Sequence, residues 1–282
     1  MQKTILIVIL LVLFCSCKQK NQEIMEPKKT IIRKQPKTIS FHFEKSKEWL
    51  AKNTDSTKIR IALAINRTDK NNITKMDSIL IPSDLTGDLA FYLPFPLEVP
   101  YLKSITKIIY FSYPTQTFAA YENGELIYTG PTNMGRKKDP TPTGLFYTNW
   151  KAEKTTSTFN DEWDLYWNFN IANKLGIGWH QYQLPGYPAS HSCLRLQEKD
   201  AKYLYNWADQ WILKNDENIL VKGTPVIVFG AYPFGESKPW LQLVQSPKAL
   251  NISADEIEQA TKSYLNGILS EQKKRENRPS KE

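Results

Sequence analysis

Asn123 and Gly124 lie between two runs of alternating apolar residues, and this pair constrains the fold more than any other feature of the chain. Both residue types tolerate positive φ angles, which the two-residue turn of a β-hairpin requires. Further strand-like runs follow, and an apolar run over residues 224–232 is typical of a buried closing strand. The sequence therefore predicts a mainly β fold between about residues 105 and 230.

Two segments depart from this β pattern. Apolar residues recur at spacings of three and four from Ala201 to Ile212, which predicts an amphipathic helix beginning near Gln197. Ser253 and Glu256 have the spacing of a helix capping box, so a second helix is predicted near the C-terminus. Together these patterns predict a mostly β domain with one helix placed just after Cys193, a small α/β module before this domain and a C-terminal helix.

The N-terminus carries Lys3, an apolar run over residues 5–14, and then Cys15 and Cys17. A run of this length is too short for a membrane span and suits the core of a signal peptide. The stretch resembles a bacterial lipoprotein signal, which implies cleavage before Cys17 and attachment of lipid to it. The chain would then be an exported lipoprotein, anchored to the membrane on the periplasmic face of the cell envelope. An uncleaved short anchor and a plain secretory signal are the alternatives.

The net charge of +8 comes from 37 basic and 29 acidic residues. Such a balance suits an anionic partner in principle. The basic residues are spread along the chain, however, and no nucleic-acid-binding motif is present. We therefore expect a solvated cationic surface and no nucleic-acid partner.

Cys193 is the one thiol that would stay free after cleavage and acylation, since the chain has three cysteines. A lone thiol in an oxidising compartment favours catalysis, although an inert buried cysteine is an alternative. His180 lies thirteen residues upstream and His191 two residues upstream. A nearby imidazole, or the N-terminus of the following helix, could activate the thiol. An open zinc site formed by His180, His191 and Cys193 is a further possibility at this point.

The segment over residues 105–230 resembles the catalytic domain of L,D-transpeptidases, the YkuD family, which implies a β-sandwich-like domain. The motifs that carry this resemblance are a first histidine, a Ser-His-x-Cys block followed by an apolar residue and an arginine, and an earlier Thr-Pro-x-Gly stretch. In this chain they are His180, then Ser190, His191, Ser192, Cys193, Leu194 and Arg195, and Thr141, Pro142, Thr143 and Gly144. One position departs from the family pattern: Ser192 stands where the family has glycine.

The resemblance implies a role for each site residue. Cys193 would be the nucleophile and His180 the base, with the carbonyl of Gln181 as third member of the triad. The N–H groups of Ser192 and Cys193 would hold the oxyanion. The remaining residues are expected to act in the loop or on substrate: Ser190 by bonding within the loop, His191 by orienting it or contacting substrate, and Arg195 by pairing with a stem-peptide carboxylate. For His191 and Arg195, purely structural roles are the alternatives.

The family chemistry implies attack on a stem tetrapeptide of peptidoglycan, release of D-alanine and transfer of the acyl group to an amine. This reaction would build cross-links in the cell wall and needs no cofactor and no metal. Water as acceptor would make the same site an L,D-carboxypeptidase, and a primary amine on a lipoprotein could also be the acceptor. Because Ser192 replaces glycine, a catalytically inactive wall-binding relative is another alternative. Serine costs more than glycine wherever a positive φ is required.

The pattern and the resemblances together divide the chain into five segments. They are a signal peptide (1–17), a polar tether (18–39), a small module with a proline-rich connector (40–100), the catalytic domain (101–232) and an extension with a helix and a charged tail (233–282). Within the small module, residues 65–82 resemble a degenerate LysM-type module, which implies glycan binding. The alternative is a helical lead-in that packs on the next domain.

Overall fold

The computed structural model describes residues 31–157, 164–216 and 218–278. Their strands are β1 (Phe41–Lys45), β2 (Ser78–Pro82), β3 (Ile108–Ser112), β4 (Thr117–Glu122), β5 (Glu125–Pro131), β6 (Gly144–Tyr147), β7 (Lys151–Thr156), β8 (Asp164–Ala172), β9 (Ile177–Gln181), β10 (Leu194–Leu196), β11 (Ile212–Leu213), β12 (Ile219–Val221) and β13 (Pro225–Phe229). Their α-helices are α1 (Ser46–Lys52), α2 (Ser56–Ile65), α3 (Lys70–Ile73), α4 (Glu198–Trp207), α5 (Ala254–Lys262) and α6 (Leu265–Glu276). The predicted mainly β fold class is confirmed.

Two sheets form the body of the fold. One has the strand order β5-β4-β3-β13-β6 and the other the order β10-β9-β8-β7. The predicted hairpin joins β4 to β5, where Asn123 and Gly124 have φ angles of 48° and 81°. Two pairings are parallel, β13 with β3 and β10 with β9, and the second of them builds the site described below.

The main apolar core lies between these two sheets. Side chains of successive strand residues point to opposite faces, so Ile109 and Phe111 of β3 enter this core together with Phe169 and Trp179 of the other sheet. Helix α4 closes one side of it through residues that include Leu204. The larger sheet is buried on both faces, which explains why the sequences of its central strands are nearly continuous apolar runs.

The outer face of the five-stranded sheet is covered by the C-terminal extension. Tyr110 of β3 packs in a second core with Ile257 of α5 and Ile268 of α6, and its hydroxyl lies 2.6 Å from that of Thr261. Helix α5 begins at the predicted capping box, in which the Ser253 side chain accepts from the Glu256 N–H.

The predicted helix after Cys193 is shorter than its apolar spacing suggests. It ends at Trp207, and Ile212 belongs instead to β11, which pairs with β12. The chain leaves the helix because the backbone of Asp209 is bonded elsewhere: its N–H donates to the Thr224 hydroxyl, and its carbonyl accepts from the Thr224 N–H. A three-four spacing of apolar residues does not detect such a competing partner.

Residues 41–82, which we call the N-terminal module, fold as a two-stranded antiparallel sheet with three helices between its strands. The largely apolar stretch over residues 59–65 lies in α2. This helix begins because the carboxylate of Asp55 accepts from the N–H groups of Thr57 and Lys58. The chain just before the module lies beside residues 84–88. The Lys34 N–H donates to the Asp88 carboxylate, and the Lys37 N–H donates to the Asp84 carboxylate.

The lipoprotein signal and the lipidation site at Cys17 fall outside the described residues. Among the helices that are described, none combines the length and the apolar character that a membrane span needs.

Asp200 of α4 is fully buried and links the N-terminal module to β5 of the larger sheet. Its Oδ1 accepts from Arg60 of α2 at 3.0 Å and from the Tyr128 hydroxyl at 2.8 Å. Removing one partner of a buried pair leaves the other charge uncompensated. We therefore expect Asp200→Ala to lower the free energy of unfolding by about 3 kcal/mol, measured by urea denaturation.

Lys154→Ala is the control for this measurement. It breaks an ion pair with Asp164 whose two side chains are about half exposed, so little change in stability is expected. Equal effects of Asp200→Ala and Lys154→Ala would contradict the structural role of the buried pair.

Candidate active site

The parallel pairing of β9 with β10 brings together the predicted base and the predicted nucleophile. Arg195 pairs with His180 and Leu194 with Trp179, so Cys193 lies just before β10 at the level of Gly178. His180 and Cys193 line one open cleft of about 350 Å³. The other residues that line this cleft are Ser157, Leu165, Tyr182, Ser190, His191 and Arg195.

His180 is held in one tautomer by its neighbour. Its Nδ1 lies 3.0 Å from the carbonyl oxygen of Gln181, and a carbonyl can only accept, so Nδ1 carries the proton. Burial lowers the pKa of His180 to about 4, and the nearby Arg195 cation adds to the effect, whereas the Gln181 carbonyl opposes it. At neutral pH the imidazole is therefore uncharged, and the lone pair of Nε2 can take up a proton.

Cys193 rests as a thiol. Burial raises its pKa, although a backbone bond from Gly178 and the charge of Arg195 oppose this rise. Its Sγ lies 3.9 Å from the Gly176 carbonyl oxygen. Among the described residues no hydrogen bond joins Sγ to the imidazole of His180. Catalytic hydrogen bonds are often loose in unliganded sites and tighten when substrate binds.

Cys193 does not lie directly before a helix, contrary to the sequence-based expectation. Strand β10 intervenes, and α4 begins only at Glu198. The field of a helix N-terminus acts mainly within its first turn, so it contributes little to the thiol. A three-residue strand is too short to be seen in the apolar pattern, which explains the error.

Ser192 adopts a φ angle of 77°, in the left-handed region that favours glycine. Two contacts fix this conformation: the hydroxyl of Thr141 donates to the Ser192 carbonyl at 2.8 Å, and the Ser192 hydroxyl donates to the Asp139 carbonyl at 3.3 Å. Thr141 also accepts from the Gly135 N–H. The Thr-Pro-x-Gly stretch therefore supports the loop that carries the cysteine. The N–H groups of Ser192 and Cys193 have no acceptor in the described part of the chain.

Ser190 and His191 are held by different partners. The Ser190 hydroxyl donates to the carbonyl of Cys193, a bond within the loop. The imidazole Nδ1 of His191 lies 3.3 Å from Oδ2 of Asp139 and 3.2 Å from Nη2 of Arg136. Arg136 in turn pairs with Asp139 and holds the pKa of that carboxyl below its usual range.

Asp139 and Arg136 were missed by the sequence-based assignment. They belong to a basic loop that the sequence places shortly before the Thr-Pro-x-Gly stretch. An arginine and an aspartate three residues apart are a common surface pair, so nothing local connects them with His191, which follows more than fifty residues later.

Arg195 presents a cation to the cleft. Its guanidinium lies over the ring of Tyr182, with Cζ 4.4 Å from the ring centroid. No carboxylate in the described ranges forms an ion pair with it. Burial lowers the pKa of Arg195, but an arginine remains charged at neutral pH.

The described residues contain no group of three histidine, cysteine, aspartate or glutamate side chains arranged to hold a metal ion.

Residues 106–228 match the model of the YkuD family, the L,D-transpeptidase catalytic domain. No curated protein matches the chain. Solved structures similar to it include L,D-transpeptidases from Stackebrandtia nassauensis (25% identity, TM-score 0.37), Mycobacterium smegmatis (20%, 0.35) and Mycobacterium tuberculosis (22%, 0.35). Each similarity covers 45% of this chain and 57%, 59% and 58% of the respective structures, which is less than two thirds of their lengths.

The resting protonation states predict how Cys193 reacts with pH. Because burial raises the pKa of the thiol, we expect alkylation by iodoacetamide to be slow at pH 7 and to accelerate only above the ordinary cysteine pKa of about 8.5. No titration is expected near pH 6.5, since the pKa of His180 is lowered to about 4. The rate is measured between pH 5 and pH 10 by mass spectrometry of the peptide that contains Cys193. A fast rate that stays constant from pH 6 to pH 9 would instead indicate a resting thiolate–imidazolium pair.

Proposed function

We propose that the chain is a cysteine-dependent L,D-transpeptidase that acts on peptidoglycan stem peptides. The observation that carries this proposal is the placement of His180 and Cys193 on paired strands in one cleft, with Nδ1 of the imidazole bonded to the Gln181 carbonyl. The family match of the segment that contains both residues supports the same reaction class.

In the proposed acylation, Sγ of Cys193 attacks the carbonyl carbon between the diamino acid and the terminal D-alanine of a stem tetrapeptide. Nε2 of His180 takes the thiol proton as the S–C bond forms, and the Gln181 carbonyl stabilises the resulting imidazolium. The negative charge moves to the carbonyl oxygen, near the N–H groups of Ser192 and Cys193. The C–N bond then breaks, the D-alanine nitrogen takes the proton from His180, and a thioester remains on the enzyme.

The acceptor of the acyl group is proposed to be the side-chain amine of a second stem peptide. Its nitrogen attacks the thioester carbon and passes a proton to His180, and the proton reaches Sγ as the C–S bond breaks. Water in place of the amine would yield a shortened stem and no cross-link. Arg195 is proposed to hold a substrate carboxylate, because its guanidinium lines the cleft without an ion-pair partner among the described residues.

Replacing the nucleophile tests the reaction. We expect Cys193→Ala to abolish D-alanine release from purified tetrapeptide muropeptides, measured by mass spectrometry, because Cys193 is the thiol that lines the cleft. The same assay separates cross-linked dimers from shortened monomers and so identifies the acceptor. Turnover that survives in Cys193→Ala would remove the nucleophile assignment.

A catalytically inactive relative is distinguished by covalent labelling. The positive φ of Ser192 is a conformation that serine adopts at a cost, which is the feature that favours this alternative. Wild-type protein that gains the mass of a carbapenem at Cys193 contains a working acylation site. Protein that stays unmodified would instead bind the wall without reacting.

We also propose that the protein is exported and anchored to the membrane by lipid on Cys17, with the catalytic domain on the periplasmic face. The apolar run over residues 5–14 and the cysteine that follows it support this location.

We expect Cys17→Ala to move the protein from the membrane fraction to the soluble fraction, as seen by immunoblotting of fractionated cells. Cys15→Ala is the matched control, because it removes a neighbouring cysteine and leaves the proposed lipidation site. A protein that stays in the membrane fraction after Cys17→Ala would contradict anchoring through this residue.

A further inference from the structure

Residues 182–192, which we call the connecting loop, join the strand of His180 to Cys193, and the N-terminal module holds them in place. The hydroxyl of Thr68 donates to the carbonyl of Leu184 at 2.9 Å, and the Leu184 N–H donates to Oδ2 of Asp69 at 2.5 Å. Thr68 also forms a backbone bridge with Pro185. Both polar groups of the Leu184 backbone are thus bonded to residues more than one hundred positions earlier in the chain.

The carboxylate of Asp69 bonds both to α3 of the N-terminal module and to the connecting loop. Its Oδ1 accepts from the N–H groups of Asn71 and Asn72 and so caps α3 of the N-terminal module. Its Oδ2 accepts from the Asn72 side chain as well as from Leu184. The cap fixes the side chain in one orientation, so the position of Oδ2, which faces the connecting loop, is set by the N-terminal module.

The turn at residues 67–69 of the module is also bonded to residues that pair with or follow β10, the strand after Cys193. Asn133 donates to the Arg67 carbonyl, accepts from the Gly186 N–H, and its own backbone pairs with that of Arg195 in β10. The side chain of Gln197 donates to the Thr68 carbonyl at 2.7 Å. Both ends of the segment that contains the cysteine are therefore anchored to residues 67–69.

Arg67 makes this turn rigid. It is fully buried at a φ angle of 55°, and its guanidinium donates to the carbonyls of Ala64, Ile65 and Thr115. Burial lowers its pKa to about 9. A side chain with three such bonds fixes the backbone beside it, and the next two residues are Thr68 and Asp69.

We infer that Thr68 and Asp69 are positioning residues of the acylation site, an inference that rests on the proposed transpeptidase function. They touch neither the thiol nor the imidazole. They restrict the loop that sets the position of Cys193 relative to His180, and a displacement of about 1 Å between reacting groups can slow a reaction up to about a hundredfold. Of the N-terminal module, it is the turn at residues 67–69 that positions the site.

Thr68→Val and Thr68→Ser test this role as a pair. Valine keeps the shape of threonine and removes the donor to Leu184, whereas serine keeps the donor. We expect the first-order rate constant for acylation of Cys193 by imipenem to fall at least about tenfold in Thr68→Val and to stay near the wild-type value in Thr68→Ser. D-alanine release from muropeptides is expected to fall in parallel.

Asp69→Asn and Asp55→Asn form a second matched pair. In both variants asparagine can still cap its helix through one oxygen. Only Asp69→Asn also replaces the acceptor of the Leu184 N–H by an amide that donates. We expect Asp69→Asn to slow acylation. Asp55 caps α2, away from the connecting loop, so we expect Asp55→Asn to leave the rate of acylation unchanged.

The amplitude of acylation, which is the fraction of molecules that become acylated, distinguishes a positioning role of these residues from a loss of folded protein. A positioning role predicts that every molecule is acylated, with full amplitude and a lower rate constant. A merely structural role predicts a smaller amplitude with the wild-type rate constant, and this result overturns the inference. Equal rate constants in Thr68→Val and Thr68→Ser overturn it as well, and leave the transpeptidase proposal standing. If imipenem does not acylate wild-type protein, the proposed function itself fails, and the inference fails with it.

Discussion

The parallel pairing of β9 with β10 is the constraint on which the candidate site depends. Three residue pairs set the register between the two strands, and this register fixes where the chain must turn before Cys193. Because both strands also contribute to the core, a slip of one position would turn Leu194 and Leu196 away from it. The energy of the core thus enforces the geometry of the site.

The unreacted site holds two neutral partners. Burial disfavours charge on the imidazole and on the thiol alike, and Arg195 favours the anion while disfavouring the imidazolium. In the proposed reaction, such a pair would separate charge when the substrate binds. A thiol in this state resists oxidation better than a thiolate.

Local patterns in the sequence predicted the parts of the fold that local physics decides. The turn at Asn123 and Gly124, the capping box at Ser253 and the closing strand β13 all have short-range signals, and each is where it was expected. The Ser-His-x-Cys block was recognised by its resemblance to a family motif, and its Ser190, His191 and Cys193 line the same cleft as His180. The predicted end of α4 was wrong, because the backbone of Asp209 bonds to Thr224 instead of continuing the helix. Strand β10 was missed, because it forms by pairing with the edge of β9. The contact between Thr68 and Leu184 spans 116 positions, and no pattern within either segment announces it.

The position of β13 in its sheet has a consequence for how the protein forms. This strand, Pro225–Phe229, lies between β3 and β6, although it comes last of the five in the chain. A nascent chain that has emerged only as far as residue 224 therefore holds two separated parts of a sheet with an unfilled gap between them, and their apolar edges are open to wrong pairings. The larger sheet can therefore close only after almost all of the residues between β3 and β13 have been synthesised.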